Sequence, residues 1–253
     1  MSEFAINVKS DIIQEGKLGV YFLGQAGFVF KTNRGKLICI DPYLSDCCNR
    51  YFGFKRLMPY ILKPDELCFD YLLVSHAHFD HFDPDSVPVL MANGKTKLIG
   101  AKDVVAECER LHIKDNLHFL SVGEVFEEDG VKITAVLCDH GKDTLDAIGF
   151  LLEVEGKKIY YMGDTAYRVD WLCNPIIKNI DMLILPINGA FGNLNEMQAA
   201  KVVSKLEPKL AVPCHYWNFA EHGGNPVIFC KEMKSYAPDV KYIMMRQGEG
   251  ITI

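Results

Sequence analysis

The sequence predicts an α/β protein folded as a four-layer αββα sandwich, in which two β-sheets pack face to face and helices cover their outer surfaces. Strand-type segments dominate the first part of the chain, and helix-type and strand-type segments alternate after it. The chain has 253 residues, of which 49% are hydrophobic, so it can bury one large core. We expect a single domain over residues 1–253, although the same alternation also suits a doubly wound sheet.

The strands are predicted from short apolar runs that are bounded by Gly, Pro, Asn or Asp. Gly24, Gly27 and Gly35 separate the first three of these runs. Residues 43–66 break the pattern, because aromatic residues, Cys and Pro are frequent there, and we predict an irregular insert near the functional site. The predicted strands cover residues 17–23, 28–31, 37–40, 71–75, 97–100, 117–120, 131–138, 148–154, 158–162, 181–186, 209–213 and 241–245.

Helices are predicted where capping residues precede longer segments. Asp83, Pro84 and Asp85 indicate a helix start, because the first can cap a helix, the second suits its first position and the third favours its positive end. Asn195 is a second candidate cap. The other predicted helices cover residues 101–111, 171–178, 195–206 and 227–236.

The most informative segment is residues 76–81, which read HAHFDH and directly follow a predicted strand. No packed core requires so many metal-binding side chains in so short a run, and imidazole with carboxylate is a common donor set for zinc and related metals. His76 and His78 lie two positions apart at a strand end, so their side chains point the same way and can reach one ion. Asp80 and His81 come where the chain turns, and they can face a second ion.

Three later residues have the same setting, since His140, Asp164 and His215 each lie just past a predicted strand. Loops at such strand ends often carry chemistry in α/β proteins. Taken alone, each of these histidines is more often a hydrogen-bonded core or surface residue. An open two-metal site needs further ligands and a bridging carboxylate, however, so the joint pattern favours all three. His222 is either a surface residue or a substrate contact.

The HxHxDH segment, with its three later partners in order, resembles the metallo-β-lactamase superfamily over residues 17–253. The resemblance implies the metallo-β-lactamase fold, an αββα sandwich with a dinuclear metal site between its sheets. Asp41 matches an early Asp of that superfamily and would orient ligands without binding metal itself. The implied ligands are His76, His78 and His140 for one ion, Asp80, His81 and His215 for the other, and Asp164 as the bridge between them.

A narrower resemblance, to the L-ascorbate-6-phosphate lactonase subgroup, lies in residues 24–28, 185–189, 192–195, 196–206 and 213–219. It implies hydrolysis of a lactone, with a phosphorylated sugar acid as substrate. Candidate substrate contacts are Asn188, Asn195 and Tyr216, and Arg168 is a candidate partner for a phosphate. The cofactors would be two divalent ions: the donor set suits zinc, manganese or iron, and the resemblance favours manganese.

We expect a metal-dependent hydrolase, in which a hydroxide held between two divalent ions attacks the carbonyl of a lactone or related ester. Asp80 is the candidate catalytic residue that takes up the proton and passes it on. No Gly-x-Ser-x-Gly element suggests a serine nucleophile. The alternative is a phosphodiesterase acting on a small phosphodiester or a phospholipid. A di-iron redox enzyme and a non-catalytic metal-binding module are weaker alternatives.

Composition restricts the partners. The formal net charge is −6 and no basic run occurs, so we expect a small-molecule substrate and no nucleic acid. No apolar stretch is long enough to span a bilayer, so we expect no membrane partner. The 9 cysteines include no Cys-x-x-Cys pair, which indicates reduced thiols in a cytoplasmic protein. The family resemblance is compatible with a homo-oligomer.

Overall fold

The computed structural model describes residues 1–253. Its strands, in chain order, are β1 (Gly19–Gly24), β2 (Gly27–Lys31), β3 (Leu37–Ile40), β4 (Tyr71–Val74), β5 (Lys97–Ala101), β6 (Leu117–Leu120), β7 (Val125–Glu128), β8 (Val131–Leu137), β9 (Ile148–Val154), β10 (Lys157–Tyr161), β11 (Met182–Pro186), β12 (Ala211–Cys214) and β13 (Gly250–Thr252). Its helices are α1 (Glu3–Ser10), α2 (Cys47–Phe52), α3 (Val87–Met91), α4 (Val104–Arg110), α5 (Val169–Leu172), α6 (Glu196–Leu206) and α7 (Pro226–Tyr236).

The strands form two mixed sheets. The first has the order β13-β1-β2-β3-β4-β5-β6, and the second has the order β12-β11-β10-β9-β8-β7. In the first sheet the pairs from β13 to β3 are antiparallel, and those from β3 to β6 are parallel. In the second, β7 to β10 pair antiparallel and β10 to β12 pair parallel. The loops that follow strands with a parallel neighbour carry the metal-binding motif, Asp164 and His215, whereas His140 follows the antiparallel strand β8.

The two sheets pack against each other through one core. Strands β1 to β4 and β11 are buried along their whole length, which requires cover on both faces of each sheet. One cluster of 68 buried hydrophobic residues includes residues of both sheets. Across the interface, the ring of Tyr71 packs edge-on against Phe126 at 5.8 Å, and the hydroxyl oxygen of Tyr161 lies 3.2 Å from the carbonyl oxygen of Ala26. The predicted αββα sandwich is confirmed.

The predicted cap of α6 is confirmed in detail. The side chain of Asn195 accepts a hydrogen bond from the backbone N–H of Gln198, and the Gln198 side chain accepts one from the backbone N–H of Asn195. This reciprocal capping box satisfies two backbone donors at the helix start. No helix in the structure combines the length and the apolar character that crossing a bilayer requires.

The predicted strand at residues 241–245 is wrong. This segment forms only an isolated bridge, in which Ala211 of β12 donates to Lys241 and accepts from Ile243. To extend this pairing, β12 would have to donate its next backbone hydrogen bond from the residue two positions after Ala211, which is Pro213. Proline has no N–H to donate, so the ladder ends after one pair.

Several boundaries also differ from prediction. The predicted first helical position, Pro84, is three residues early, because residues 84–86 form turns and α3 begins at Val87. The Asp83 carboxylate accepts hydrogen bonds from the backbone N–H groups of Asp85 and Ser86, so it caps the turn that leads into α3. It also accepts from the backbone N–H groups of Leu44 and Ser45, which ties the insert to the motif loop. The 43–66 insert is irregular except for α2, and the predicted helix at 171–178 is the shorter α5.

Four elements were not predicted: α1, α2, β7 and β13. Strand β7 joins β8 through Asp129 and Gly130, both with positive φ, a two-residue hairpin turn that the Asp-Gly pair could have indicated. Helix α1 is short, and its signal is a single cap, Ser2, whose hydroxyl accepts from the backbone N–H of Ala5.

Candidate metal centre

The motif loop leaves the carboxyl end of β4 at Ser75, whose carbonyl accepts a hydrogen bond from the backbone N–H of Ile148 at the start of β9 in the second sheet. Ser75 anchors its start, since its backbone N–H donates to Asp41 Oδ1 at 2.7 Å and its hydroxyl also reaches the Asp41 carboxylate. Further along, the backbone N–H groups of His81 and Phe82 donate to the carbonyl of His78, which tightens the loop into a turn. The loop therefore presents its side chains from a fixed backbone.

His76, His78 and His140 bring three ring nitrogens together. The distance from His78 Nδ1 to His76 Nε2 is 3.1 Å, and that from His78 Nδ1 to His140 Nε2 is 3.0 Å. His140 lies three residues beyond β8, in the other sheet from the motif loop. The sandwich thus completes a three-imidazole cluster from residues that are more than sixty positions apart in the chain.

A second cluster lies beside the first and consists of His81, Asp164 and His215, with Asp80 at its edge. His81 Nε2 is 3.3 Å from His215 Nε2 and 3.4 Å from Asp164 Oδ1. Asp164 Oδ2 is 3.2 Å from His215 Nε2 and 3.7 Å from His140 Nε2, so this carboxylate lies between the two clusters. Asp80 Oδ2 approaches His215 Nε2 at 3.2 Å.

Asp41 orients this cluster from behind. Its Oδ2 accepts hydrogen bonds from His81 Nδ1 and from the Tyr161 hydroxyl, both at 2.7 Å. Since an ionised carboxylate only accepts, His81 carries its proton on Nδ1 and turns a bare Nε2 toward the cluster. The Ser75 hydroxyl donates its one proton to Asp41, so its oxygen can only accept a hydrogen bond from His76 Nδ1, 2.9 Å away. His76 therefore carries its proton on Nδ1, and its Nε2 is unprotonated and free to bind an ion.

Three residues at the centre were missed or left open by the sequence analysis. Asn193 donates to Asp164 Oδ2 at 2.7 Å. The amide nitrogen of Gln25 is 2.8 Å from Asp80 Oδ2, and Gln25 is buried with a φ of 52°. His222 stacks on the His215 ring at 4.8 Å, so it lies at the centre and not on an open surface. Gln25 and Asn193 lie in segments that carry the lactonase resemblance, and the position of Gln25 between two turn glycines was a further signal of its inward placement.

The electrostatics of the second cluster favour a positive charge. Burial by itself would lower the pKa of His215, but Asp164 and Asp80 outweigh it and raise that pKa to about 9. Burial likewise opposes the charged form of His81, and the surrounding carboxylates raise its pKa well above the usual value. The pKa of His76 is instead lowered, by burial and by the neighbouring imidazoles. A divalent cation supplies the positive charge that these carboxylates favour.

The donor set fits divalent metal ions. Ligand atoms about 2.0 to 2.1 Å from a tetrahedral zinc ion lie about 3.3 to 3.4 Å from one another, close to the spacings in both clusters. Asp164 Oδ1 is buried and has no hydrogen-bond partner within the protein. An unpartnered buried carboxylate oxygen among converging imidazoles is costly unless a cation lies beside it. The two clusters could therefore hold two ions, with Asp164 between them.

A cavity of about 300 Å³ opens above the two clusters. Its floor is formed by polar side chains of the centre, and its walls are largely aromatic. The lining residues are Cys48, Phe52, Phe54, Ala77, His78, Phe79, Asp80, His140, Asp164, Phe191, Asn193, His215, Phe219 and His222. Chemistry at the clusters would thus take place on a substrate held in a mostly apolar pocket.

None of the three predicted substrate contacts lines this cavity. Asn195 is used as the cap of α6, and the Tyr216 hydroxyl is buried and donates to the carbonyl of Met245. Asn188 is buried and pairs with Asn195 in an isolated bridge. Arg168, the candidate phosphate partner, pairs with Asp139 at 2.6 Å instead. The geometry assigns these residues structural contacts, so the sequence predictions for them are not supported.

Comparison with known proteins identifies the family. Residues 19–215 match the family described as "Beta-lactamase superfamily domain". A UPF0173 metal-dependent hydrolase of Polynucleobacter asymbioticus is 30% identical, over 94% of this chain and 87% of its own length. Another, from Thermococcus onnurineus, is 33% identical over 91% of this chain and 97% of its own.

Among solved structures, Igni18, a metallo hydrolase from Ignicoccus hospitalis, shares the fold. Its TM-score is 0.76 at 20% sequence identity, with 94% of this chain and 98% of that one covered. The superfamily resemblance read from the HxHxDH segment is therefore confirmed. Taken together, the matched domain and the two relatives show that this chain belongs to the β-lactamase superfamily and, within it, to the family of UPF0173 metal-dependent hydrolases.

Proposed function

We propose that this metal-dependent hydrolase cleaves carboxylic esters, including lactones, at a centre that holds two divalent ions. The observation that carries the proposal is the pair of His and Asp clusters on the floor of one cavity, with Asp164 between them. When bound, two such ions supply an activated water and polarise the substrate carbonyl.

The residues of the chain would divide the remaining work. His76, His78 and His140 would hold one ion, and His81, His215 and Asp80 the other, with Asp164 shared by both. Their buried nitrogens are held in place before substrate arrives, because Asp41 and Ser75 fix the rings of His81 and His76. Such preorganisation means that little reorganisation is needed during the reaction.

Asp80 is our candidate for proton transfer. Its contacts with Gln25, His81 and His215 all involve Oδ2, which leaves Oδ1 available to take a proton from the attacking water. Asp80 also lines the cavity, so the same carboxyl can return that proton to the leaving alkoxide. His222 borders the same space and is a candidate contact for the substrate oxygen.

The lactonase resemblance supports an ester or lactone carbonyl as the target, but the cavity gives no support for a phosphorylated sugar acid. A phosphate or a phosphodiester favours Arg or Lys partners, and the cavity wall contains neither. We therefore keep carbonyl hydrolysis as the proposal and leave phosphodiester cleavage to the experiment.

The test uses protein depleted of metal by a chelator and reloaded with zinc or manganese. Hydrolysis of γ-butyrolactone and p-nitrophenyl acetate is measured beside that of bis-p-nitrophenyl phosphate. We expect metal-dependent turnover of the lactone or ester, and its loss in His78→Ala. The matched control is His118→Ala, because His118 is an exposed histidine on β6 away from the centre. Turnover of only the phosphodiester would replace the proposal by the alternative.

A further inference from the structure

We propose that the substrates of this centre carry an uncharged aromatic or branched apolar group, and that the cavity selects against anionic ones. The inference rests on the proposed ester hydrolysis and adds the class of substrate. It is carried by the walls of the cavity, since the floor is formed by the metal centre that any hydrolase of this kind would need.

The walls form a connected aromatic surface. The ring of Phe54 lies 6.3 Å from Phe52, 5.8 Å from Phe191 and 6.2 Å from Phe219. Phe52 in turn lies 5.6 Å from Phe79, so the rings surround the space above the centre. Two separate segments supply them at the mouth, because Phe52 ends α2 of the insert and Phe191 comes from the loop before α6.

Two of these rings are largely exposed to solvent, which is unfavourable for apolar side chains. Phe52 is 57% exposed and Phe191 is 60% exposed, although both line the cavity. Large exposed apolar residues that cluster at a pocket mark a binding site more often than scattered ones do. An apolar group of the substrate would cover both rings.

No Lys or Arg lines the cavity, and its histidines lie at the floor with the metal centre. Arginines of the surrounding segments are committed elsewhere. Arg56 is buried and donates to backbone carbonyls that include that of Tyr43, and Arg168 pairs with Asp139. Arg110 lies over the Phe79 ring at 5.6 Å and pairs with Glu107. An anionic group against these walls would lose its water without gaining a partner, which is strongly unfavourable. An aromatic group would instead exchange water for ring contacts.

The cavity size agrees with one such group. Its volume of about 300 Å³ lies at the small end of ligand sites, which span about 300 to 1,000 Å³. It would hold one ring and the adjoining ester, with the carbonyl at the floor. The geometry therefore points to small aryl or alkyl esters and lactones, and away from phosphorylated sugars and dicarboxylates.

The test compares two substrates of equal reactivity and similar size: methyl (4-methylphenyl)acetate and methyl (4-carboxyphenyl)acetate. The methylene group insulates the ester from the para substituent, so only the charge of the distal group differs. The protein is loaded with zinc or manganese. We expect kcat/KM for the methyl compound to exceed that for the carboxylate by at least about 10-fold, because the free energy of burying part of one apolar ring corresponds to a ratio of that size.

A charge-swap variant sharpens the test. Phe191→Arg places a cation in the wall, and because Phe191 already has a positive φ of 52° and is largely exposed, the exchange adds no backbone strain. We expect the substrate preference to fall by about 10-fold or to reverse. The control Tyr236→Arg adds the same charge at an exposed aromatic residue at the end of α7, outside the cavity, and should leave the preference unchanged.

Binding of the uncharged amide 4-methylphenylacetamide, measured by calorimetry on chelator-treated protein, separates this inference from the proposed function. If the amide binds and Phe191→Arg weakens it, while neither ester is cleaved, then the ester hydrolysis fails and the apolar pocket stands. If both esters are cleaved equally, or the carboxylate is preferred, the inference is overturned and the hydrolase function stands. If nothing is cleaved and nothing binds, both are wrong.

Discussion

Asp41→Asn should weaken metal binding although Asp41 itself lies outside the predicted ligand set. The Asp41 carboxylate is fully buried and accepts hydrogen bonds from His81 Nδ1, the Tyr161 hydroxyl and both the hydroxyl and the backbone N–H of Ser75. An amide cannot serve all of these donors. In one orientation, the amide oxygen of the substituted side chain takes the place of Asp41 Oδ2 and keeps three bonds, while the NH2 group is placed against the backbone N–H of Ser75. In the flipped orientation, the NH2 group is placed against the other three donors.

The magnitude follows from these contacts. Loss of the negative charge removes the group that fixes the proton of His81 on Nδ1, so Nε2 is no longer held bare toward the ion. Changes of this kind typically reduce metal affinity about 10- to 100-fold, which equals roughly 1.4 to 2.8 kcal/mol. The metal-free protein should also lose about 1 to 3 kcal/mol of stability, since a buried donor is left unsatisfied.

The assay is a competition titration of zinc between the protein and a chromophoric chelator, combined with urea denaturation of the metal-free protein. Tyr161→Phe should give a smaller loss in both measurements, because it removes one donor and leaves the Asp41–His81 contact intact. Asp181→Asn is the matched control: Asp181 lies at the start of β11, where it pairs with Lys209. Zinc affinity of Asp41→Asn within twofold of the unaltered protein would refute the reasoning.

Removal of a proposed ligand, in His78→Ala or Asp164→Ala, should lower the metal content measured by elemental analysis and abolish hydrolysis, while the circular dichroism spectrum stays native. Near-normal turnover without metal would contradict the dinuclear centre. Chelation should lower the melting temperature, because ions that bind only the folded chain stabilise it by about 2.7 kcal/mol at one hundred times Kd; an unchanged melt would argue against tight binding. Asp103→Asn tests pH dependence: burial raises the pKa of Asp103 from 3.8 to about 6, so the folded chain binds more protons than the unfolded chain between these values. Stability from this group is therefore present at low pH and is lost as pH rises through that window. The free energy of unfolding is measured by urea denaturation for both proteins. Between roughly pH 4 and 7, that of the unaltered protein should fall by about 1 to 2 kcal/mol relative to that of Asp103→Asn, a value reduced for the partial exposure of the group. A difference between the two proteins that stays constant with pH would contradict this.

Much of the fold could be predicted from local pattern. Strands such as β3 and β9 are short apolar runs between turn residues, and the structure reproduces their bounds. The wrong predictions have identifiable physical causes that cannot be recognised from a single sequence. The apolar segment 241–245 lacks a partner because Pro213 cannot donate on the side where it would pair, which depends on the register of β12.

The metal site shows the same division. The spacing within residues 76–81 was enough to predict a metal-binding loop. Asn193 and Gln25 lie in segments of the lactonase resemblance, but as single amides they do not indicate a metal site. Only their distances to Asp164 and Asp80 reveal their place at the centre. The predicted contact Tyr216 failed for the converse reason: its position beside His215 says nothing of the side to which its ring turns.

By itself, the sequence determined which side chains could bind metal, because ligand chemistry and the end of a strand are both local properties. The tertiary structure decided what surrounds them. It brought His140 of one sheet to His78 of the other, placed Asp41 behind His81, and built the cavity walls from the insert and the loop before α6. Side-chain chemistry is carried by each residue, whereas the charge and shape of a pocket arise only from packing between distant segments.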